Sequence, residues 1–330
     1  MMDQLVERFP AQLQEAIATG AAANIRPHHF DIHNIFIAGM GGSGIGGDFI
    51  ADFIRDECIF PVLICKDYEV PAYVGPNTLA IVSSYSGDTE EACAVFENLI
   101  KTGAKIVVIS SGGVLLERAR AEGVDLIKLP SDCPSPRACL GFAIVQKLFT
   151  IYQLGLISDK KIHEVVNVIA LLEKEMVYMK TEAIGIAKFL KGKTPVIYST
   201  NKLGAVALRF RQQINQNAKM LGWHNAIPEM NHNELVGWRE EDENLAVIFL
   251  RSPEDHPRNQ RRIEINKSII QGYTNSIMEI SAKGRTLVEQ SLYLLNLCDW
   301  ASVYLAEMKG VDAVKIKVVD YLKKEMGKAS

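Results

Sequence analysis

A chain of 330 residues with 48% hydrophobic residues can bury a sizeable core, and its length favours two domains over one. Its 36 basic and 39 acidic side chains leave a net charge of −3, a balance that implies no polyanion-binding surface and does not favour nucleic acid as a partner. The opening Met1-Met2-Asp3-Gln4-Leu5-Val6-Glu7-Arg8 mixes acids with bases, and no later run approaches ~18 uncharged apolar residues, so neither secretion nor a membrane is expected.

Helical periodicity runs from Gln4 to Ala23 and is ended by Pro27. Asn34-Ile35-Phe36-Ile37-Ala38-Gly39 then reads as a buried parallel strand leading into Gly41-Gly42-Ser43-Gly44, which opens a helix near 45–55. A second apolar run, Leu79-Ala80-Ile81-Val82, leads into Ser83-Ser84-Tyr85-Ser86-Gly87-Asp88-Thr89 and a helix near 88–101. Further strands are expected near 60–65, 105–110 and 125–129, with helices near 113–122 and 138–154. Such a βαβ series is best satisfied by a doubly wound parallel sheet with its ligand at the carboxyl ends of the strands.

The two turns together have the chemistry of a phosphate cradle. A helix N-terminus offers unpaired N–H groups and partial positive charge, hydroxyls add donors, and glycine lets them approach closely. The turns lack the Gly-Lys-Ser/Thr ending of a nucleotide P-loop, which argues against a nucleoside triphosphatase. The spacing Gly39-x-Gly41-x-x-Gly44 does match the dinucleotide fingerprint. An acidic residue should then close the second strand, but Lys66 follows Cys65 there and Asp67 comes only afterwards, so a nicotinamide site fits poorly.

Cysteines 58, 65, 93, 133, 139 and 298 form no Cys-x-x-Cys pair and sit mostly in apolar runs, so all six are read as reduced thiols of a cytoplasmic protein. The seven histidines show no His-x-x-x-His pair, and His28-His29 lies beside Pro27 in a loop, so no metal is expected. After the fifth strand, Leu129-Pro130-Ser131-Asp132-Cys133-Pro134-Ser135-Pro136-Arg137 forms a proline-stiffened loop that brings Arg137 to the ligand end of the sheet. An arginine there can stabilise an oxyanion or simply point to solvent.

Ile157 to Leu190 is charged, periodic and without strand signal, and is read as helices linking residues 1–156 to a second domain within 157–330. That domain has expected strands at 195–200, 245–250 and 276–280, a helix from Leu203 to Ala218, and further helices near 257–272, 286–309 and 314–326. Two of its segments are dense in polar groups: Ile214-Asn215-Gln216-Asn217-Ala218-Lys219, and Pro228-Glu229-Met230-Asn231-His232-Asn233-Glu234-Leu235. His232 is the best acid/base candidate, because an imidazole titrates near neutral pH without a large environmental shift.

Gly39-Met40-Gly41-Gly42-Ser43-Gly44, Ser84-Tyr85-Ser86-Gly87-Asp88-Thr89-Glu90, Pro136-Arg137 with Leu140-Gly141, Asn217-Ala218-Lys219 and Asn231-His232-Asn233-Glu234 occur in this order. With Gly310-Val311-Asp312 and Leu322-Lys323 they give the chain a resemblance to the bifunctional phosphoglucose/phosphomannose isomerases of the sugar isomerase (SIS) domain superfamily. The resemblance implies an α/β fold of two SIS-type αβα sandwich domains, each with a mainly parallel sheet. It further implies a cofactor-independent aldose–ketose isomerase acting on hexose 6-phosphates, and a homodimer with active sites at the subunit interface.

The resemblance also implies site residues. Phosphate is held by Gly42, Ser43, Ser84, Ser86 and Thr89, Arg137 stabilises the enediolate, His232 reaches across from the partner subunit to assist ring opening, and Lys323 matches the active-site lysine, although Lys324 adjoins it. The family's pattern departs at Gln216, which stands where a glutamate base moves the proton between C1 and C2. A carboxamide takes no proton from carbon at neutral pH, so Glu229, Glu234 or His232 must replace it, or the chain is a catalytically weak or silent sugar-phosphate sensor. Glu234 belongs to the matched motif, and its default reading is structural, orienting the histidine or capping a helix.

Overall fold

The computed structural model describes residues 1–327 and falls into two compact units. The first comprises Glu7–Glu173 with Gly284–Glu289, and the second Met1–Val6, Lys174–Lys283 and the chain from Gln290 onward. The division between the units lies inside one long helix.

The expected single N-terminal helix is two, interrupted at Arg8: α1 (Met2–Glu7), of which all but Glu7 belongs to the second unit, and α2 (Phe9–Ala22), which belongs to the first. Pro10 sits in the first turn of α2, where its missing N–H costs nothing, so the apolar periodicity runs on through a real break. Five parallel strands follow, β1 (Asn34–Ala38), β2 (Val62–Cys65), β3 (Thr78–Ser83), β4 (Lys105–Ser110) and β5 (Asp125–Lys128), in the order β2-β1-β3-β4-β5. Every residue of β3 and β4 is buried, which is why their apolar runs are continuous rather than alternating. The crossover helices are α3 (Gly41–Phe53), α4 (Glu90–Leu99) and α5 (Gly113–Ala121), and β5 leads through a loop to α6 (Leu140–Gln153).

Helix α2 fixes the start of α6. The Gln12 amide donates to the carbonyl of Ala138 (2.8 Å) and its Oε1 accepts from the N–H of Gly141 (2.8 Å), so the loop ahead of α6 is held at both edges. Further along α6, Lys147 is fully buried, its amine donating to the carbonyl of Ala143 (3.0 Å). Burial pushes its pKa down to about 7, against a smaller opposing pull from Asp48. The folded state therefore binds fewer protons here than the unfolded state between about pH 7 and the usual lysine range, so stability rises with pH across that window. Lys147→Met is expected to raise stability at pH 7 by about 1–2 kcal/mol and to remove that rise, as read from urea midpoints of both proteins between pH 6 and 9.

Helix α7 (Lys160–Leu190) contributes its first part to one unit and its remainder to the other. The second unit has a parallel sheet of β6 (Thr194–Thr200), β7 (Trp223–Ile227), β8 (Leu245–Arg251) and β9 (Ile277–Ser281), ordered β7-β6-β8-β9. Counted along the chain, this is the same sequence of neighbours as β2-β1-β3-β4. Strand β7 is absent from the sequence reading because only Ile227 is buried in this edge strand, leaving no apolar run.

The helix expected from 203 to 218 is α8 (Gly204–Gln213) running into one π turn, Ile214–Ala218, that ends at Lys219 with φ of 54°. Helices α9 (Pro257–Ile270), α10 (Leu287–Met308) and α11 (Lys317–Met326) complete the unit. A buried polar stripe joins α8 to α10: Arg209 forks onto Asp299 at 3.2 and 2.9 Å, and the Asn217 amide donates to Ser302 Oγ at 2.9 Å. These anchors fix the π turn and with it the backbone of Gln216.

The reading of all six cysteines as reduced is corrected for two of them. Cys133 and Cys139 form a disulfide, because the 3-10 turn Pro136–Ala138 folds the loop back until their Cα atoms are 6.9 Å apart. Cys58, Cys65, Cys93 and Cys298 are free thiols. No helix among the described residues is long and apolar enough to cross a membrane.

Candidate active site

The turns after β1 and β3 lie side by side. A Cβ on Gly39 would stand 2.6 Å from the carbonyl oxygen of Ser83, and one on Gly44 would stand 2.4 Å from that of Gly39, so these two glycines are required by backbone packing. Neither α3 nor α4 has a side-chain cap on its first turn, although their N-cap positions are Met40 and Thr89. The first N–H groups of both helices thus keep the donor capacity that suits an anion.

Within the second turn, the Ser84 hydroxyl is buried, accepts from the N–H of Gly87 (3.1 Å) and shares a 2.8 Å hydrogen bond with the Thr89 hydroxyl. Ser86 is exposed, and its Oγ accepts from the N–H of Asp88 at 3.3 Å. Ser43 is half-buried on the first turn of α3, and Gly42 beside it packs against the third segment: a Cβ there would lie 3.7 Å from both Arg137 Cα and the Pro136 carbonyl. Gly42, Ser43, Ser84, Ser86, Thr89 and Arg137 are thereby brought to one end of one sheet.

Tyr85 is the tie that sequence reasoning missed. Its hydroxyl donates to the carbonyl of Pro130 (2.7 Å) and accepts from the N–H of Cys133 (3.2 Å), while its own carbonyl accepts from the N–H and hydroxyl of Ser111. The phenol pKa is raised, mainly by burial. One side chain therefore binds the loop of Arg137 to the hydroxyl-bearing turn; an aromatic residue between two serines was the only signal. Asp88 acts in the other direction, its carboxylate accepting from the N–H of Val114 (3.0 Å) at the first turn of α5. The dinucleotide alternative meets Lys66 at the end of β2, its amine paired with Asp48 where a ribose-binding acid is needed.

If the Thr89 hydroxyl touches phosphate, the isosteric Thr89→Val should raise KM about 5–30-fold, equivalent to ~1–2 kcal/mol, with kcat changed less than about threefold. Steady-state kinetics with a hexose 6-phosphate check this, and an unchanged KM refutes the assignment.

The second unit holds the other expected residues. Gln216 lies in the π turn, where its carbonyl accepts from the Lys219 amine. His232 ends the 3-10 turn Glu229–His232 after β7, is exposed, and its ring accepts or donates no hydrogen bond among the described residues. Glu234 is engaged instead: Oε1 accepts from the Tyr198 hydroxyl (2.5 Å) and Trp223 Nε1 (2.8 Å), and Oε2 accepts from the Asn225 amide (2.5 Å). Burial and that carboxylate together push the Tyr198 phenol far above its usual range. Glu229 is exposed and accepts from Asn233 Nδ2 at 2.8 Å. His224, half-buried on β7, is held below the ordinary imidazole range by burial and then by Arg211. Lys323 and Lys324 are both exposed on α11. Among the described residues, no cluster of His, Cys, Asp or Glu could hold a metal ion.

The profile of the bacterial phospho-glucose isomerase C-terminal SIS domain matches residues 179–326. A bifunctional phosphoglucose/phosphomannose isomerase of Caldicellulosiruptor bescii is 35% identical over 98% of both chains, and one of Aquifex aeolicus is 34% identical over 89% of this chain and 90% of its own. In fold, the C-terminal domain of glucosamine-fructose-6-phosphate aminotransferase from Francisella tularensis superposes with a TM-score of 0.75 at 15% identity, covering 95% of this chain and 98% of that one. Two parallel sheets that share the order of their first four strands, hydroxyl-bearing turns at one end of the first, and relatives matched along nearly the whole length converge: the chain belongs to the bifunctional phosphoglucose/phosphomannose isomerase family.

Proposed function

We propose that this chain interconverts glucose 6-phosphate and mannose 6-phosphate with fructose 6-phosphate, without a cofactor, through a cis-enediol(ate). The observation that carries this reading is the convergence of Ser43, Ser84, Ser86, Thr89 and Arg137 on two uncapped helix N-termini. A dianionic phosphate takes the N–H groups and hydroxyls, and Arg137 faces the charge that develops at the reacting oxygens.

Ring opening breaks the C1–O5 bond of the aldose: the His232 imidazolium gives its proton to O5, and the anomeric hydroxyl gives up its own to solvent. The imidazole, now neutral, takes the proton from C2 and returns it to C1 while the hydroxyl proton passes from O2 to O1, leaving the ketose. His232 is assigned both steps because Glu234 has three donors on its oxygens and Gln216 is a carboxamide. Gln216 donates a hydrogen bond to the enediolate, and Lys323 adds positive charge near it.

The protein acts as a cytoplasmic homodimer in which the partner subunit's His232 serves the sugar phosphate held by one protomer. Coupled assays with each aldose phosphate test the reaction: turnover is expected, and none of either by pure protein overturns it. Binding without turnover would mark a sensor. Mixing inactive Arg137→Met and His232→Ala proteins should restore about a quarter of wild-type activity through mixed dimers, and no recovery refutes shared sites.

A further inference from the structure

The loop that carries His232 meets the second sheet at one carboxylate that collects three donors. Tyr198 stands on the central strand β6, and Trp223 and Asn225 stand two apart on β7, so all three donors converge on Glu234 from one face of the sheet. The Tyr198 hydroxyl also accepts from Trp238 Nε1 at 3.2 Å, so the same phenol holds the far end of the loop. On the near side, Met230 is fully buried and Asn231 Nδ2 donates to Asn266 Oδ1 of α9 at 2.7 Å. His232 lies between these fastenings, and Asn233 Oδ1 accepts from the N–H of Glu234 at 2.6 Å.

We propose that Glu234 is a positioning residue for His232: its carboxylate, held by Tyr198, Trp223 and Asn225, fixes the two 3-10 turns so that the imidazole keeps its place against the sugar. The inference rests on the isomerase reading for its kinetic consequence. Glu234 meets no substrate and moves no proton. Its three donors leave it a fixed acceptor, and an exposed imidazole with no hydrogen bond of its own depends on the backbone beneath it. Buried Tyr198 supplies the rigid end of the link, since its ring is packed against Phe249 at 5.5 Å between centroids.

The test is a double-mutant cycle on kcat and KM, with hydrogen exchange of the loop as an activity-independent readout. Glu234→Ala should lower kcat about 10–100-fold with KM within about threefold, and Glu234→Gln, which keeps one acceptor oxygen, should fall between it and wild type. Glu234→Ala combined with His232→Ala should be no slower than His232→Ala alone, whereas multiplying losses show that Glu234 acts independently of His232 and overturn the proposal. In Glu234→Gln, amides 229–237 should exchange faster while the strands of the sheet do not change; exchange that is unchanged, or faster throughout the unit, overturns it. If Glu234→Ala does not fold, Glu234→Gln decides by the same criteria. A wild-type protein that turns over neither hexose phosphate defeats the isomerase reading, and the exchange comparison still decides whether Glu234 holds the loop.

Discussion

Gly87→Ala is expected to destabilise the first unit by about 3–5 kcal/mol and to abolish phosphate binding with it. Gly87 has a φ of +79°, and a Cβ there would stand 1.7 Å from the carbonyl oxygen of Gly112. The obstacle is backbone, not the end of a flexible chain. Relief would require moving the turn off the Gly112-Gly113 segment, which is itself held by Asp88 through the N–H of Val114. The same N–H of Gly87 donates to Ser84 Oγ, so the shift would carry away the hydroxyl pair of Ser84 and Thr89. Urea unfolding and calorimetry with inorganic phosphate check both halves; a variant with wild-type midpoint and affinity would show that the turn does not have this conformation.

Arg137→Met is expected to leave the fold and phosphate binding intact and to lower kcat about 10²–10³-fold, the usual cost of losing a donor aimed at developing negative charge. Methionine keeps much of the aliphatic length, so the packing of the 3-10 turn against Gly42 survives. Arg137→Lys should recover little, because an ammonium does not reproduce the planar fork. Calorimetric titration with phosphate alongside steady-state rates separates binding from chemistry, and a kcat within about threefold of wild type would remove Arg137 from the reaction.

The strands with continuous apolar runs, β1, β3, β4, β6 and β8, were readable because burial on both faces forces that pattern. Strand β7 was not, since an edge strand carrying Trp223 and Asn225 toward Glu234 has exchanged apolar residues for polar anchoring. The break at Arg8 left no trace because a proline in a first helical turn does not interrupt the periodicity. The hydroxyl turns could be found because their chemistry is contiguous in sequence. Their connection to Arg137 could not, because it runs through Tyr85 to Pro130 and Cys133, partners set by tertiary folding alone. For Glu234 a structural role beside the histidine could be read from its place in the motif, but its donors on β6 and β7 could not.

The Tyr85 tie also bears on the thermodynamics of ligand capture. A proline-rich loop fastened at Pro130 and Cys133 to one phenol, and at Ala138 to Gln12, has surrendered most of its conformational freedom before any sugar arrives. Capture should then draw little on ordering entropy, and the free and liganded first units should superpose closely. Cutting the tie with Tyr85→Phe should transfer that ordering to the moment of association and weaken affinity for a sugar phosphate, with the hydroxyls of Ser84, Ser86 and Thr89 all retained.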